Sequence, residues 1–364
     1  MYQLCNSILC NRLRLFVFLL FSSSLVFGQS DSTEVGEDER RDVVENISAM
    51  INDTYLFPDV GKQSTLFINK QLESGIYDSM LDPVSFAQKL TDDLQSINHD
   101  KHMRVIVKSA KRLELETKDY ALNSVKRERY PKEHNYGFQK VESLDGNVGY
   151  IDFRVFDKTN SARETAAAAL KFLSNSDALI IDLRKNRGGS PSMVQLISSY
   201  FFKEKTLLNT MYSPRTGKTR ELWTLDNIPG ERLLDVPVYI LTSNSTFSAA
   251  ESFTYNFKNR DRATIVGETT KGGANSGRLL AANNRFDIFI PYRQPIDPIT
   301  GKNWEGVGVL PDVIVPADNA FDKAYELAKK AAEKYRKNDI DGKMVPIRNA
   351  QKEFKEKLAI ANGL

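Results

Sequence analysis

The sequence predicts an α/β fold: a mostly parallel sheet covered by helices, preceded by a small helical N-terminal domain. Three observations predict it. From residue 148 onward, short apolar runs at 148–153, 178–183 and 238–242 alternate with helical patterns, an order that feeds parallel strands through helical crossovers. Upstream, Val44, Ile47, Met50 and Ile51, then Phe86, Leu90, Leu94 and Ile97, recur at helical spacing. Finally, a chain of 364 residues with 41% hydrophobic and 27% charged residues is long enough, and apolar enough, for one large domain or two modest ones.

The elements follow in order. Residues 1–28 have the form of a secretory signal: Arg12 and Arg14 precede an apolar stretch that ends in small residues, with cleavage expected near Gly28. That stretch is too short for the ~20 residues of a membrane span. The expected product is a secreted or periplasmic chain that does not insert in a membrane. Residues 29–42 are polar and acidic and form the expected disordered leader. Residues 43–105 make the helical domain, with Asp82 and Pro83 opening its last helix. Residues 106–146 are an expected connector, charged and aromatic-poor until Tyr136-Gly137-Phe138.

The core is expected over 147–340. A strand at 148–153 leads to a helix from Ser161, capped by a box with Glu164. Strand 178–183 leads to helix 193–202, and strand 238–242 leads through a polar turn to a helix over 249–257. A short strand at 263–266, a hairpin at 279–290 turning on Asn283-Asn284, and an amphipathic helix over 320–335 complete it. Residues 341–364 are a C-terminal extension.

Composition narrows the chemistry. The formal charge is +3, and the first 29 residues contribute two of those charges, so the remainder is close to balance. That offers no electrostatic case for nucleic acid. Cys5 and Cys10 both precede the apolar stretch, so the mature chain has no disulfide, thiolate nucleophile or cysteine-bound metal. Three histidines without an H-E-x-x-H pattern make a zinc site unexpected, and no metal or cofactor is called for.

Three loops that follow strands carry unusual residues. In Asp182-Leu183-Arg184-Lys185-Asn186-Arg187-Gly188-Gly189, paired glycines at a helix start bring amides close to negative charge, which suits an oxyanion hole or simply a tight turn. In Thr246-Phe247-Ser248-Ala249-Ala250-Glu251, a serine opens a helix. Its hydroxyl could serve as a nucleophile beside the Ala249 amide, or as a helix cap boxed with Glu251. In Gly267-Glu268-Thr269-Thr270-Lys271-Gly272-Gly273, the lysine precedes the final glycines, which is the wrong order for a phosphate-binding loop. A serine nucleophile needs a base, and His102 or His99, in Asn98-His99-Asp100-Lys101-His102-Met103, is the natural choice.

Together these segments resemble the tail-specific (C-terminal processing) protease superfamily. The branch they resemble holds the tricorn protease core and the domains of interphotoreceptor retinoid-binding protein. The resemblance spans roughly 44–316 and rests on segments 100–105, 135–138, 147–151, 182–189, 246–251, 267–274 and 306–313, in order and at matching spacing. It implies a crotonase/ClpP-like core and a serine nucleophile three residues before a glutamate, which is Ser248. Many relatives pair that serine with a lysine, but their lysine position falls on Gly273, two residues after Lys271. The tricorn-like branch implies a histidine base, His102, and a downstream glutamate, Glu305. Oxyanion donors would be the amides of Ala249 and of Gly188 or Gly189. The implied function is an exported serine peptidase acting on peptides or proteins. The alternative is a non-catalytic protein that binds apolar ligands on the same scaffold.

Overall fold

A computed structural model describes residues 34–108, 129, 131–340 and 354–358. The expected signal peptide, the cleavage position, most of the connector and most of the C-terminal extension lie outside the described residues. Among the described residues no helix is long and apolar enough to cross a membrane.

Three helices come first: α1 (Glu37–Thr54), α2 (Pro58–Glu73) and α3 (Pro83–Asn98). Asp82 caps α3 as its sequence predicts, its carboxylate accepting from the Ser85 amide at 2.8 Å. The expected disordered leader is corrected at its C-terminal end, because Glu37 to Asp42 already form the first turns of α1. The three acids at its start suit a helix N-terminus. Val35 and Arg40 are buried, which pins the chain there.

The helical region does not close its own core. Ile47, Ile51, Phe86, Leu90 and Leu94 pack with Val105, Phe286, Ile288 and Ile290. These come from β1 (Arg104–Val107) and β10 (Phe286–Ile296). With β5 (Leu207–Ser213), β6 (Lys218–Trp223) and β9 (Ser276–Ala281), they form an antiparallel sheet in the order β1-β10-β5-β6, with β9 also on β10. β9 and β10 are the hairpin expected around Asn283. The β5–β6 hairpin has no counterpart among the expected strands.

The second sheet has six strands in the order β11-β8-β7-β4-β3-β2. They are β2 (Phe138–Leu144), β3 (Val148–Phe153), β4 (Ala178–Asp182), β7 (Val238–Thr242), β8 (Thr264–Gly267) and β11 (Val313–Ile314). All neighbours run parallel except β2 with β3. β2 lies in the expected connector, so the core begins earlier than residue 147.

Every residue of β4 and β7 is buried, as strands covered on both faces must be. Leu179 and Ile181 face a layer built on α4 (Thr159–Phe172), α5 (Pro191–Ser199) and α6 (Ala249–Asn259). Ala178 and Ile180 face α7 (Ala320–Ile340), whose Ala320, Ala324, Ala328 and Ala332 make a single buried stripe. The start expected for α4 is corrected: it begins at Thr159 with no side-chain cap, so Ser161 and Glu164 are interior helical residues. The parallel strands β4, β7 and β8 deliver their following loops to one edge of the sheet, where open α/β sheets place their sites.

Candidate active site

Ser248 lies between β7 and α6 in a strained turn with φ 58° and ψ −117°. A non-glycine residue at such angles costs energy and persists only where its surroundings enforce it. The enforcement is visible. Thr246 donates its hydroxyl to the Leu183 carbonyl at 2.8 Å, and the Phe247 amide donates to the Asn186 carbonyl at 3.1 Å. The Ser248 amide donates to Glu251 Oε2 at 2.7 Å.

Glu251 is completely buried and serves more than its own helix. Its carboxylate also accepts from the Thr270 hydroxyl (2.6 Å) and from the amides of Gly272 (2.6 Å) and Gly273 (2.9 Å). It therefore joins the serine turn to the loop after β8. Burial pushes this carboxyl upward from its ordinary pKa, and the four hydrogen bonds oppose that rise.

His102 reaches the serine from the other wall, on the turn between α3 and β1. Its Nε2 lies 3.0 Å from Ser248 Oγ. The ring stacks on Phe247 at 4.4 Å between centroids and is tilted against Phe289 at 5.8 Å. Its backbone amide donates to Asp100 Oδ1 at 3.0 Å. For Nε2 to accept the serine proton, the neutral ring must carry its hydrogen on Nδ1, and Nδ1 is buried with no hydrogen-bond partner among the described residues. Burial, with Arg104 and Lys271 nearby, lowers this histidine to a pKa of about 3.

Glu305 follows β10 and stands beside this pair. Its Oε2 accepts from the amides of Ala274 (2.6 Å) and Asn275 (2.8 Å), while Oε1 is buried and without a partner among the described residues. Burial, then the charge of Asp100, raises Glu305 to a pKa of about 7. Asp100, absent from the sequence-based candidates, is buried and accepts from Asn275 Nδ2 at 2.9 Å and from the Tyr55 hydroxyl at 3.4 Å. Burial raises its pKa as well. One donor atom from each of Asp100, His102 and Glu305 lies within 4.8 Å of the other two, close enough for a metal ion. Each already has a bond within the protein, and the set fits a hydrogen-bonded polar cluster beside Ser248.

The glycine pair lies against the serine. A Cβ on Gly188, whose φ is +99°, would sit 2.7 Å from Ser248 Cβ and 2.9 Å from the Ala249 nitrogen. The expectation for Gly188 as an oxyanion donor is corrected, because its amide donates to Asn186 Oδ1 at 2.8 Å. An Asn two residues before a glycine is a common signal for such a turn, so this was visible in the sequence. Gly188 O and Ser190 N make both bonds to Phe156, which turns the Gly189 amide the other way. The amides of Gly189 and Ala249 have no partner among the described residues, and Ala249 is the first residue of α6, where amides lack helical acceptors.

The remaining candidates separate cleanly. His99 adopts φ 55° and closes α3. His134 precedes the short helical turn Asn135–Gly137. The Lys271 ammonium lies 5.4 Å over the Phe247 ring, and its amide donates to the Thr246 carbonyl at 3.0 Å. At Gly273, where the resemblance would put a lysine, a Cβ would meet Phe247 Cε2 at 2.1 Å and His102 Cε1 at 3.0 Å. The histidine and phenylalanine rings fill the space that a side chain at 273 would need. All of this opens onto a cleft of about 980 Å³ lined by His102, Ser248, Ala249 and Gly189 among others.

The model of peptidase family S41 matches residues 147–315, and that of the N-terminal domain of peptidase S41 in eukaryotic IRBP matches 37–136. A carboxyl-terminal-processing protease of Synechocystis sp. is 28% identical over 194 residues, covering 50% of this chain and 44% of its own. The chain thus spans under half the length of that relative. Among solved structures, a lipoprotein from Streptococcus agalactiae has a TM-score of 0.54 at 17% identity, covering 80% of this chain and 96% of its own. The tricorn protease has a TM-score of 0.50 at 12% identity, covering 82% of this chain and 37% of its own. At those identities the two structures establish the shared fold alone.

Proposed function

The chain belongs to peptidase family S41, and from that premise we propose that it is an exported serine peptidase with Ser248 as nucleophile and His102 as general base. The observation that carries the reading is the 3.0 Å separation of His102 Nε2 and Ser248 Oγ, with the serine held in a strained turn beside two amides that have no partner among the described residues. His102, neutral at working pH, takes the Ser248 proton as Oγ attacks a peptide carbonyl. The amides of Ala249 and Gly189 hold the oxyanion. His102 then gives its proton to the leaving amine, and water hydrolyses the acyl-enzyme with the same base. The Glu305 carboxylate stabilises the imidazolium through space. Substrates are peptides or proteins that enter the cleft in extended form. Export rests on the secretory pattern of residues 1–28, with a secreted or periplasmic product.

A binding protein for apolar ligands is the poorer fit, because Lys101, Arg104, Arg187, Lys271 and Arg293 all line the cleft. Labelling with a fluorophosphonate tests the proposal. The wild type is expected to label, and Ser248→Ala to give no adduct. His102→Ala should lower peptidase activity by about 10⁴-fold or more, while Lys271→Ala keeps its labelling. A folded wild type that never labels overturns the peptidase reading. Loss of labelling in Lys271→Ala but not in His102→Ala would transfer the base to lysine.

A further inference from the structure

We propose that the cleft selects peptides carrying an acidic side chain close to the scissile bond, with Arg104 as the residue that binds its carboxylate. This rests on the peptidase reading above. Arg104 opens β1, two residues after His102. Its guanidinium lies 5.3 Å over the ring of Phe289, its direct partner in the β1–β10 register, and His102 faces that same ring. Base and guanidinium thus share one aromatic floor, and Arg104 lines the cleft that holds Ser248.

Arg104 is half-buried, yet no acceptor engages it among the described residues. Other sequestered cations among the described residues have acceptors. Arg184 pairs with Asp182, Arg260 with Asp297 and Lys108 with Asp287, and Arg262 donates to the carbonyls of Phe201, Val236 and Leu233. A guanidinium taken partly out of water without an anion is costly, and its planar fork of donors matches a carboxylate. Lys101, Arg187, Lys271 and Arg293 also line the cleft, and among the described residues none of them is ion-paired and no aspartate or glutamate lines it. The whole chain has 50 basic and 47 acidic residues, so the cleft departs from the rest of the molecule. Five cations spread over both walls exceed what one chain terminus would neutralise, which favours acidic side chains over a free C-terminus. His102 is lowered by burial first and by Arg104 and Lys271 next, and a carboxylate seated on Arg104 would offset that second contribution.

The experiment uses pairs of fluorogenic peptides, amidated at the C-terminus, that differ only by Glu or Gln beside the cleaved bond. The wild type is expected to favour the Glu peptide by about ten-fold in kcat/KM, mostly through KM, and less so at high salt. Arg104→Gln should bring the ratio to about one, and Arg104→Glu should shift preference to a Lys peptide. Fluorophosphonate labelling of each variant reports an intact Ser248 site. If Arg104→Gln does not label, competition in the wild type decides: an uncleaved Glu-bearing amide is expected to inhibit, and its Gln counterpart to inhibit about ten-fold less. Equal cleavage of the pair by the wild type, an undiminished preference in a labelling Arg104→Gln, or equal inhibition by the two amides overturns the inference. A gain seen only with free C-terminal acids also overturns it. Cleavage of neither peptide by folded wild type counts instead against the peptidase reading.

Discussion

The two walls of the cleft hold their residues by different means. On the Ser248 wall, the turn donates buried hydrogen bonds to the carbonyls of Leu183 and Asn186 and to the Glu251 carboxylate, which Thr270 holds in turn. On the His102 wall the ring is held by the faces of Phe247 and Phe289, and its Nδ1 has no partner among the described residues. Directional bonds fix a position, while stacking fixes a plane and leaves the electronics of the ring to nearby charge. Ser248 is thus set by directional bonds, and His102 is set by shape, its pKa lowered by burial and then by Arg104 and Lys271. Changes on the first wall should damage stability and activity together. Changes on the second should alter how activity depends on pH.

The largest joint effect is expected at Glu251. Glu251→Ala strips the acceptor from the amides of Ser248, Gly272 and Gly273 in a buried site. Unsatisfied donors of this kind predict a loss of about 2–4 kcal/mol in denaturant unfolding, with Ser248 labelling abolished. An unfolding midpoint equal to the wild type would show that the serine turn does not depend on this carboxylate. Gly188→Ala comes next. Its new Cβ would press on Ser248 Cβ at 2.7 Å, in a backbone region that L-residues avoid. A fall of about 10²–10³-fold in kcat, with a smaller change in KM, is expected from a displaced nucleophile. Unchanged kinetics in Gly188→Ala would mean that the turn can relax away from the glycine.

The contrast between walls also explains which features could be read from the chain. The parallel strands announce themselves because burial on both faces forces continuous apolar runs, as in β4 and β7. Ser248 is legible as a serine opening a helix after such a strand, and His102 through its family segment. Long-range bonds are not legible. Glu251 reads as a local cap, because Thr270, Gly272 and Gly273 lie 19 to 22 residues away. Asp100 sits two residues before His102 in plain view, but nothing local says that it meets Asn275 across the fold at a sequence distance of 175. The β5–β6 hairpin is hidden because one of its strands, β6, is mostly exposed and has no apolar run to mark it.

Glu305 gives the finest test of the second wall. With His102 near a pKa of about 3 and Glu305 near 7, the histidine stays neutral across the working range, and the glutamate changes charge within it. Under the proposed mechanism, above about pH 7 an ionised Glu305 would stabilise the imidazolium that forms in the transition state, and below it the neutral acid would not. The wild type should therefore gain kcat/KM through about pH 7. Glu305→Gln should lose that rise and fall about ten-fold below wild type at about pH 8. Stability should move the other way. A carboxyl whose folded pKa is raised from 4.5 to about 7 favours folding while protonated. That contribution is fully present below about pH 4.5 and is lost as pH rises through about 7. Glutamine keeps the neutral form, so Glu305→Gln should be more stable than the wild type by about 1–3 kcal/mol above pH 8, with the difference gone near pH 4. Thermal unfolding at the two pH values, beside the pH–rate profile, separates the outcomes. An acid limb near pH 7 that survives in Glu305→Gln would place the titrating group on His102 and show that charge from the second wall does not tune the base.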